Sequence, residues 1–308
     1  MKARRLLCFL PIFALAASAV AETPEIISET FETGDAQRDL TLHLIRPPGE
    51  VAGVIVLCAP GAGRVEASLE NSTGYFGYLV EFARERNLAV IGFGQGANAG
   101  WDRNVNSSDL ARRDASRLDR QFDEIAREWA RIASRFADRN ELPKADWLLY
   151  GFCGGAQYAH RLALRQPQLF KAVHVHWGGS YDVPTDKGAE TIWLVTSWAD
   201  EPAYVAAQKF YRGCSEKNYR IILKGHVRGQ AAETDLEPDE NPQAELSRRF
   251  FDFALNNTDP LKQEAEFLAD YINEVVLPAG DAFWVPREQA IWLPTRELAE
   301  AWGKVEEN

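Results

Sequence analysis

The sequence predicts an α/β fold with a mostly parallel central sheet and helices on both faces. Strand-like and helix-like patterns alternate along the 308 residues, which is typical of such sheets. Several strand-like runs are apolar throughout, as expected for parallel strands that are covered on both faces. The chain contains no internal repeats and no linker-like segments. We therefore expect a single domain over residues 22–308.

The first half of the chain starts with an edge strand. Residues 40–46 alternate apolar and polar side chains, whereas residues 51–57 are apolar throughout and predict a central strand. Residues 74–86 predict a helix and residues 88–93 another buried strand. A long amphipathic helix is expected within residues 109–139. Its apolar positions, three or four residues apart, predict one face buried in the core: Leu118, Phe122, Ile125, Trp129, Ile132 and Phe136.

The second half supplies three more apolar runs, at residues 172–176, 191–196 and 219–223, each of which predicts a strand. A helix over residues 202–212 separates the last two runs. Another helix, at residues 245–255, is expected to close the sheet.

An extension begins at about residue 262, and it is too short to form a domain of its own. Within it, residues 281–286 and 290–294 resemble a short hairpin before a terminal helix. We expect the extension to pack against the domain or to form a rim of the site.

Residues 1–21 have the pattern of a secretory signal peptide. Basic residues precede an apolar run at residues 6–20, and Ala19-Val20-Ala21 provides a cleavage site of small residues. The mature chain is expected to start near Glu22. The protein is therefore predicted to be exported, either to a periplasm or out of the cell.

The charge of the chain excludes two classes of partner. Its formal net charge is −11, and the predicted signal peptide contains basic but no acidic residues, so the mature chain is more acidic still. Such a protein is a poor candidate for binding nucleic acid or an anionic membrane surface. Beyond the signal peptide, no run is long and apolar enough to span a bilayer.

The most informative motif is Gly151-Phe152-Cys153-Gly154-Gly155, which follows an apolar run and precedes a helix-like stretch at residues 156–164. This is the pattern of a nucleophile elbow, G-x-S-x-G, with Cys153 in the serine position. Such a sharp turn strains the backbone of the nucleophile and leaves no room for side chains two residues away. A helix N-terminus also favours a thiolate. The motif predicts that Cys153 is a nucleophile.

A cysteine nucleophile needs a base, and His226 is the preferred candidate. It is expected in a loop directly after the last strand, between Gly225 and Gly229. The remaining histidines fit structural roles better, in mid-strand, beyond the elbow, or as hydrogen-bonded strand residues: His43, His160, His174 and His176.

The imidazole in turn needs an orienting carboxylate. Asp200 is the first choice because it lies closest to the end of the strand at residues 191–196, and Glu201 is the reserve. Asp182 and Asp186 are a weaker alternative.

Acyl transfer also needs amide donors for the oxyanion. One is expected to be the N–H of Gly154, directly after the nucleophile. The other should come from the loop after residues 51–57, where Pro60 has no N–H. Gly61 or Ala62 is therefore the expected second donor.

The order Cys153, Asp200, His226 resembles that of the α/β-hydrolases, and the resemblance extends from about residue 36 to 257. The Gly-Phe-Cys-Gly-Gly elbow is similar to that of the dienelactone hydrolase branch, in which the cysteine works with Asp and His. The resemblance implies an enzyme that hydrolyses a small-molecule ester, lactone or thioester through an acyl-enzyme, without a cofactor.

Two alternatives stay open at this point. The chain could have a hydrolase fold that binds a ligand without turnover, or a Cys58–Cys153 disulfide could staple it and remove the nucleophile. His174-x-His176 lacks further ligands, so no metal site is expected. Trp101, Trp177 and Trp198 are candidates for an apolar wall of the site, although tryptophan is as often part of the core.

Overall fold

A computed structural model of the chain describes residues 25–32, 39–60, 65, 69, 76–94, 115–199, 201–226 and 242–306. The predicted signal peptide, residues 1–21, lies outside the described residues. Within the described ranges, no helix has the length and apolar character needed to cross a membrane.

The main sheet has eight strands in the order β1-β2-β4-β3-β5-β6-β7-β8. β1 and β2 pair antiparallel, β2 pairs antiparallel with β4, and the remaining neighbours are parallel. The predicted mostly parallel sheet is therefore confirmed. The strands are β1 (Ile26–Phe31), β2 (Leu40–Ile45), β3 (Gly53–Ala59), β4 (Leu88–Gly94), β5 (Trp147–Phe152), β6 (Phe170–His176), β7 (Ile192–Trp198) and β8 (Ile221–His226).

Helices cover both faces of this sheet. Within the described residues they are α1 (Gly77–Glu85), α2 (Ala115–Arg139), α3 (Gly154–Arg165), α4 (Pro202–Glu216) and α5 (Pro242–Asn256), with a terminal helix, α6 (Arg296–Trp302). α2 and α3 pack together, and α4 covers β7 and β8 on the same face. α1 and α5 contact each other on the opposite face.

The long helix α2 buries the face that its sequence predicts. Phe122, Trp129, Ile132 and Phe136 are buried, and Trp129 packs edge-on against Trp147 of β5, with ring centroids 6.2 Å apart. Edge-to-face aromatic pairs add to the stabilisation from buried area. The described members of the predicted stripe belong to the core or pack against it, as predicted.

The C-terminal extension forms a second sheet of three antiparallel strands in the order β10-β9-β11: β9 (Phe267–Asp270), β10 (Val275–Pro278) and β11 (Ala290–Leu293). The predicted hairpin is wrong in its first strand. Residues 281–286 form turns, and the hairpin is made by β9 and β10. The predicted strand at 290–294 and the terminal helix are confirmed. β11 packs against β8, and α6 packs against α5.

Candidate active site

Cys153 lies at a strained turn between β5 and α3. Its backbone has φ 54° and ψ −117°, a conformation that a residue with a side chain rarely adopts. The flanking glycines are required by close packing. A Cβ on Gly151 would lie 2.6 Å from the Cβ of Ala159, and one on Gly155 would overlap the carbonyl oxygen of Cys58. The strand–turn–helix geometry of the predicted elbow is therefore present.

The carboxyl ends of β5 to β8 form a continuous edge at which two of the predicted site residues lie, Cys153 and His226. Three backbone hydrogen bonds join the residues at this edge: Cys153 N–H to His176 O (3.0 Å), Trp177 N–H to Thr196 O (2.8 Å), and Ala199 N–H to His226 O (2.8 Å). The nucleophile candidate and the base candidate thus lie at the same edge, three strands apart, where parallel sheets bind their ligands.

His226 corrects one expectation. It is the last residue of β8, paired with Trp198, and not part of a following loop. Its side chain is 8% exposed. Burial, followed by the proximity of His176 and Lys224, lowers the pKa of His226 to about 3. The imidazole is therefore neutral near pH 7, and its Nε2 has no hydrogen-bond partner among the described residues.

A chain of buried hydrogen bonds runs behind this edge, on the face covered by α5. Ser247 Oγ lies 2.9 Å from His174 Nδ1, and His174 Nε2 lies 2.8 Å from Thr196 Oγ1. The same Thr196 hydroxyl is 2.7 Å from His176 Nδ1. All four residues are buried, so the predicted structural roles of the two histidines are confirmed. Burial, together with His176 and His226, holds the pKa of His174 well below its ordinary value.

The Thr196 hydroxyl has one hydrogen, so it can donate to only one of these imidazoles and must accept from the other. If it donates to His176 Nδ1, a neutral His176 carries its proton on Nε2. If it donates to His174 Nε2, the Nε2 of a neutral His176 is an acceptor. Thr196 therefore couples the tautomers of the two rings.

Of the two acid candidates after β7, Asp200 lies outside the described residues. Glu201 directly precedes α4, and its Oε2 accepts a hydrogen bond of 2.7 Å from Trp177 Nε1. Trp177 directly follows β6 and also has a positive φ, 55°. The Glu201 carboxylate thus links the segments that follow β6 and β7 beside the elbow.

The weaker acid candidates have structural roles. Asp182 accepts hydrogen bonds from Arg161 Nε at 3.0 Å and Arg165 Nη1 at 3.1 Å. Burial alone would raise the pKa of the Asp182 carboxyl, but His160, Arg161 and Arg165 together hold it well below its usual range. Asp186 is exposed and pairs with Lys217.

The other two histidines, His160 and His43, form hydrogen bonds away from the carboxyl ends of β5 to β8. His160 accepts the Asp182 backbone N–H at Nε2 (3.0 Å), and its Nδ1 lies 3.2 Å from the Ala156 carbonyl oxygen, so it is neutral. Burial lowers its pKa. His43 lies within β2, with Nδ1 2.8 Å from Ser28 Oγ.

One expected oxyanion donor is at the elbow. Gly154 is the first residue of α3, where helix N–H groups have no partner within the helix. Gly61 and Ala62 lie outside the described residues. Aromatic rings pack together beside the elbow: Phe152 stacks on His176 at 5.3 Å and contacts Trp177 at 5.6 Å, and Trp198 packs edge-on against His176. Trp101 lies outside the described residues.

The three described cysteines, Cys58, Cys153 and Cys214, are thiols, and none is in a disulfide. The Cys58–Cys153 staple is therefore wrong for this structure. Cys58 is buried at the end of β3, and burial raises the pKa of its thiol. Among the described residues, no group of three His, Cys, Asp or Glu side chains is arranged to hold a metal ion.

No protein-family model matches the chain, and no curated protein sequence matches it. Solved structures do match. A thermostable esterase aligns with a TM-score of 0.53 and 13% identity over 74% of this chain and 62% of the esterase. A poly(3-hydroxybutyrate) depolymerase from Bordetella parapertussis aligns with a TM-score of 0.50 and 17% identity over 77% and 94%.

The chain has the α/β-hydrolase fold. The fold predicted from the elbow and the order of the site residues is confirmed by the strand order and by these neighbours. A candidate dienelactone hydrolase from Klebsiella pneumoniae is also among the neighbours, with a TM-score of 0.46 and 13% identity over 75% and 98% of the two chains. Identities this low establish the fold alone. The chain spans less than two thirds of the thermostable esterase.

Sequence reasoning missed Thr196, Ser247 and the link between Trp177 and Glu201. A signal for Thr196 was present, because it is a polar residue in a largely apolar strand and lies on the same face as the neighbouring histidines. Ser247 carried no such signal, since its partner is 73 residues away on another element.

Proposed function

We propose that this protein hydrolyses a small-molecule carboxylic ester, lactone or thioester through an acyl-enzyme on Cys153. The observation that carries the proposal is the position of Cys153. Its thiol belongs to a residue with φ 54° between a buried strand and the N-terminus of α3, at the edge that also carries His226. In the α/β-hydrolase fold this elbow is the place of the nucleophile. The esterase and the depolymerase that share the fold add support.

In the proposed first half-reaction, the neutral His226 imidazole accepts the thiol proton as the Cys153 sulfur attacks the acyl carbonyl. The carbonyl oxygen becomes an oxyanion that accepts hydrogen bonds from the Gly154 N–H and from that of Gly61 or Ala62. The intermediate then collapses, the bond to the leaving group breaks, and the imidazolium returns its proton to the departing alcohol or thiol.

In the second half-reaction, His226 takes a proton from water, whose oxygen attacks the acyl-enzyme. The carbon–sulfur bond breaks, the carboxylic acid leaves, and the proton returns to the Cys153 sulfur. The proposed role of Asp200 is to orient the imidazole and to stabilise its charged form. This role suits a histidine that is neutral at rest, because the imidazolium at such a buried position needs a compensating charge.

The surroundings of the elbow favour an acyl group with apolar character. The partly buried Trp177 packs against Phe152, directly before Cys153 in the chain, and the acidic net charge of the chain disfavours large anionic substrates. We further propose that the protein works outside the cytoplasm, since residues 1–21 have the pattern of a signal peptide. N-terminal sequencing of the protein recovered from the periplasm or medium tests this, and an intact Met1 would contradict it.

The deciding experiment is the intact mass of the protein after brief exposure to p-nitrophenyl acetate. Wild type is expected to carry one acetyl group that disappears as substrate is exhausted, and Cys153→Ala none. Cys214→Ala is the matched control, since Cys214 is a buried thiol on α4, and it should acetylate like wild type.

No adduct in wild type, together with equal turnover in Cys153→Ala, would overturn the proposal. If neither protein hydrolyses the ester, the alternative of a hydrolase fold that binds a ligand without turnover would take its place.

A further inference from the structure

The C-terminal extension is fastened to the strand that ends in the proposed base. The indole Nε1–H of Trp302, on α6, donates a hydrogen bond of 2.7 Å to the backbone carbonyl of Leu223 on β8. Trp302 is 2% exposed. Because the bond is buried, breaking it leaves a polar group without compensation from water. The extension therefore fixes the β8 backbone three residues before His226.

The same tryptophan contacts a partly buried cation. The Lys224 Nζ lies 4.1 Å from the centroid of the Trp302 ring and 3.9 Å from Glu274 Oε1, and the lysine side chain is 16% exposed. A desolvated ammonium over an indole ring is a favourable cation–π contact. Burial lowers the pKa of Lys224 and Glu274 opposes this, so the cation depends on the extension for both of its partners.

Lys224 and His226 are two residues apart on β8, and alternate residues of a strand point to the same face. The other side of the strand is filled, because a Cβ on Gly225 would lie 2.8 Å from the Tyr204 ring and 3.1 Å from the Ala199 Cβ. β8 is thus held by α4 on one face and by the extension on the other.

We propose that the extension is a working part of the hydrolase site: Trp302 and Glu274 hold Lys224 on β8, and this clamp positions the His226 imidazole two residues further along the same strand. Lys224 and Trp302 are positioning residues, since they act through His226. The inference rests on the proposed function for its catalytic consequence. Its structural part, the effect on the His226 imidazole, does not depend on turnover.

Among the described residues, three titratable side chains interact with His226. His176 and His174 approach from β6, and Lys224 lies on the same strand. Of these, only Lys224 carries a charge near pH 7 that the extension controls. A change in Lys224 should therefore appear directly in the titration of His226.

The first test follows the His226 imidazole by NMR in the Cys153→Ala protein, where no turnover occurs. Lys224→Met keeps the aliphatic stem over Trp302 and removes the charge, so the His226 pKa should rise by about one pH unit. Lys262→Met is the matched control, because Lys262 is an exposed lysine of the extension that pairs with Asp259. It should leave the His226 titration unchanged.

The second test uses the protein with Cys153 intact. Trp302→Phe removes the N–H bond to Leu223 but keeps a ring over Lys224, and Trp302→Leu removes both contacts. The expected result is a kcat about tenfold lower in Trp302→Leu, with an unchanged KM and a smaller loss in Trp302→Phe. The acid limb of kcat/KM should move upward in Lys224→Met, which simple loss of packing would not cause.

A His226 titration in Lys224→Met identical to that of Lys262→Met would overturn the clamp, even if the acetyl adduct forms on Cys153. A shifted titration without any adduct would retain the clamp and reject the proposed hydrolysis. If Trp302→Leu fails to fold, Lys224→Met and Trp302→Phe still decide the question.

Discussion

The backbone amide of Cys153 donates a hydrogen bond to the carbonyl oxygen of His176, 3.0 Å away. This bond continues the pairing of β5 with β6 by one residue, into the turn itself. The strained conformation of Cys153 is thus held by the neighbouring strand on one side and by the packing of Gly155 on β3 on the other. A conformation that costs about 1–3 kcal/mol persists only when its surroundings fix it in this way.

Replacement of Gly155 by alanine should disrupt the elbow. The added Cβ would overlap the backbone of Cys58 and Ala59, which cannot move without shifting β3. We expect a loss of at least about 3 kcal/mol in the free energy of unfolding. Urea denaturation measures this loss, with Gly280→Ala as control because a Cβ there meets nothing within 4 Å. Equal stability of the two variants would contradict the packing argument.

Substitution of the two acid candidates, Asp200 and Glu201, should lower kcat to very different extents. Asp200→Asn is expected to lower kcat by about 10³- to 10⁴-fold if Asp200 orients His226. Glu201→Gln should cost less than about tenfold, because the Glu201 carboxylate binds Trp177 Nε1 and an amide oxygen can still accept that hydrogen bond. Hydrolysis of p-nitrophenyl acetate measures both. The opposite order of losses would make Glu201 the acid.

Thr196→Val should uncouple the buried histidines. Valine has nearly the same shape as threonine but no hydroxyl, so His174 Nε2 and His176 Nδ1 both lose the partner seen at 2.8 and 2.7 Å. The expected cost is about 2–4 kcal/mol in the free energy of unfolding. Thr196→Ser keeps the hydroxyl and should cost less than about 1.5 kcal/mol. NMR of the imidazole nitrogens should show altered tautomers in the valine variant only.

Stability should fall as the pH drops through the range in which free histidine titrates. The pKa of His226 is lowered from 6.5 to about 3 in the folded protein, so below pH 6.5 the unfolded chain binds a proton that the folded one does not. The contribution of the neutral His226 to the free energy of unfolding is fully present above pH 6.5, and it is lost progressively as the pH falls towards 3. For His226 alone the loss at pH 5 is about 2 kcal/mol.

His174 and His160 act in the same direction, because burial also lowers their pKa values. Urea unfolding at pH 8 and pH 5 measures the total. His226→Gln should show a smaller difference between the two pH values than wild type. An equal difference would mean that His226 does not titrate with a lowered pKa.

The sequence was sufficient for the positions of strands β2 to β8 along the chain and for the elbow, because long apolar runs and the glycine pattern are local signals. It was insufficient for the end of β8. Lys224 interrupts the apolar run, so the strand was expected to stop at residue 223. In the fold the lysine stem is buried against Trp302, 78 residues later, and the strand continues to His226. Contacts at such separations cannot be predicted from local periodicity.

The edge strand β1 was missed for a related reason, and the predicted edge strand at residues 40–46 is wrong in its place, because β2 lies between β1 and β4. Ile26–Phe31 contains polar residues on both of its faces, and only pairing with β2 defines it as a strand. The hydroxyl of Ser247 and the carboxylate of Glu201 likewise gain their roles from partners on other elements.

Of the three described cysteines, Cys58 and Cys214 are buried and Cys153 is partly exposed. In the proposed mature protein, which lacks residues 1–21 and with them Cys8, a thiol reagent should therefore label each molecule once, at the elbow. Because each molecule then has one reactive thiol, the extent of labelling can be read without a separate reference protein. The fraction of molecules that a small alkylating agent modifies counts the competent sites in any preparation, without knowledge of the natural substrate.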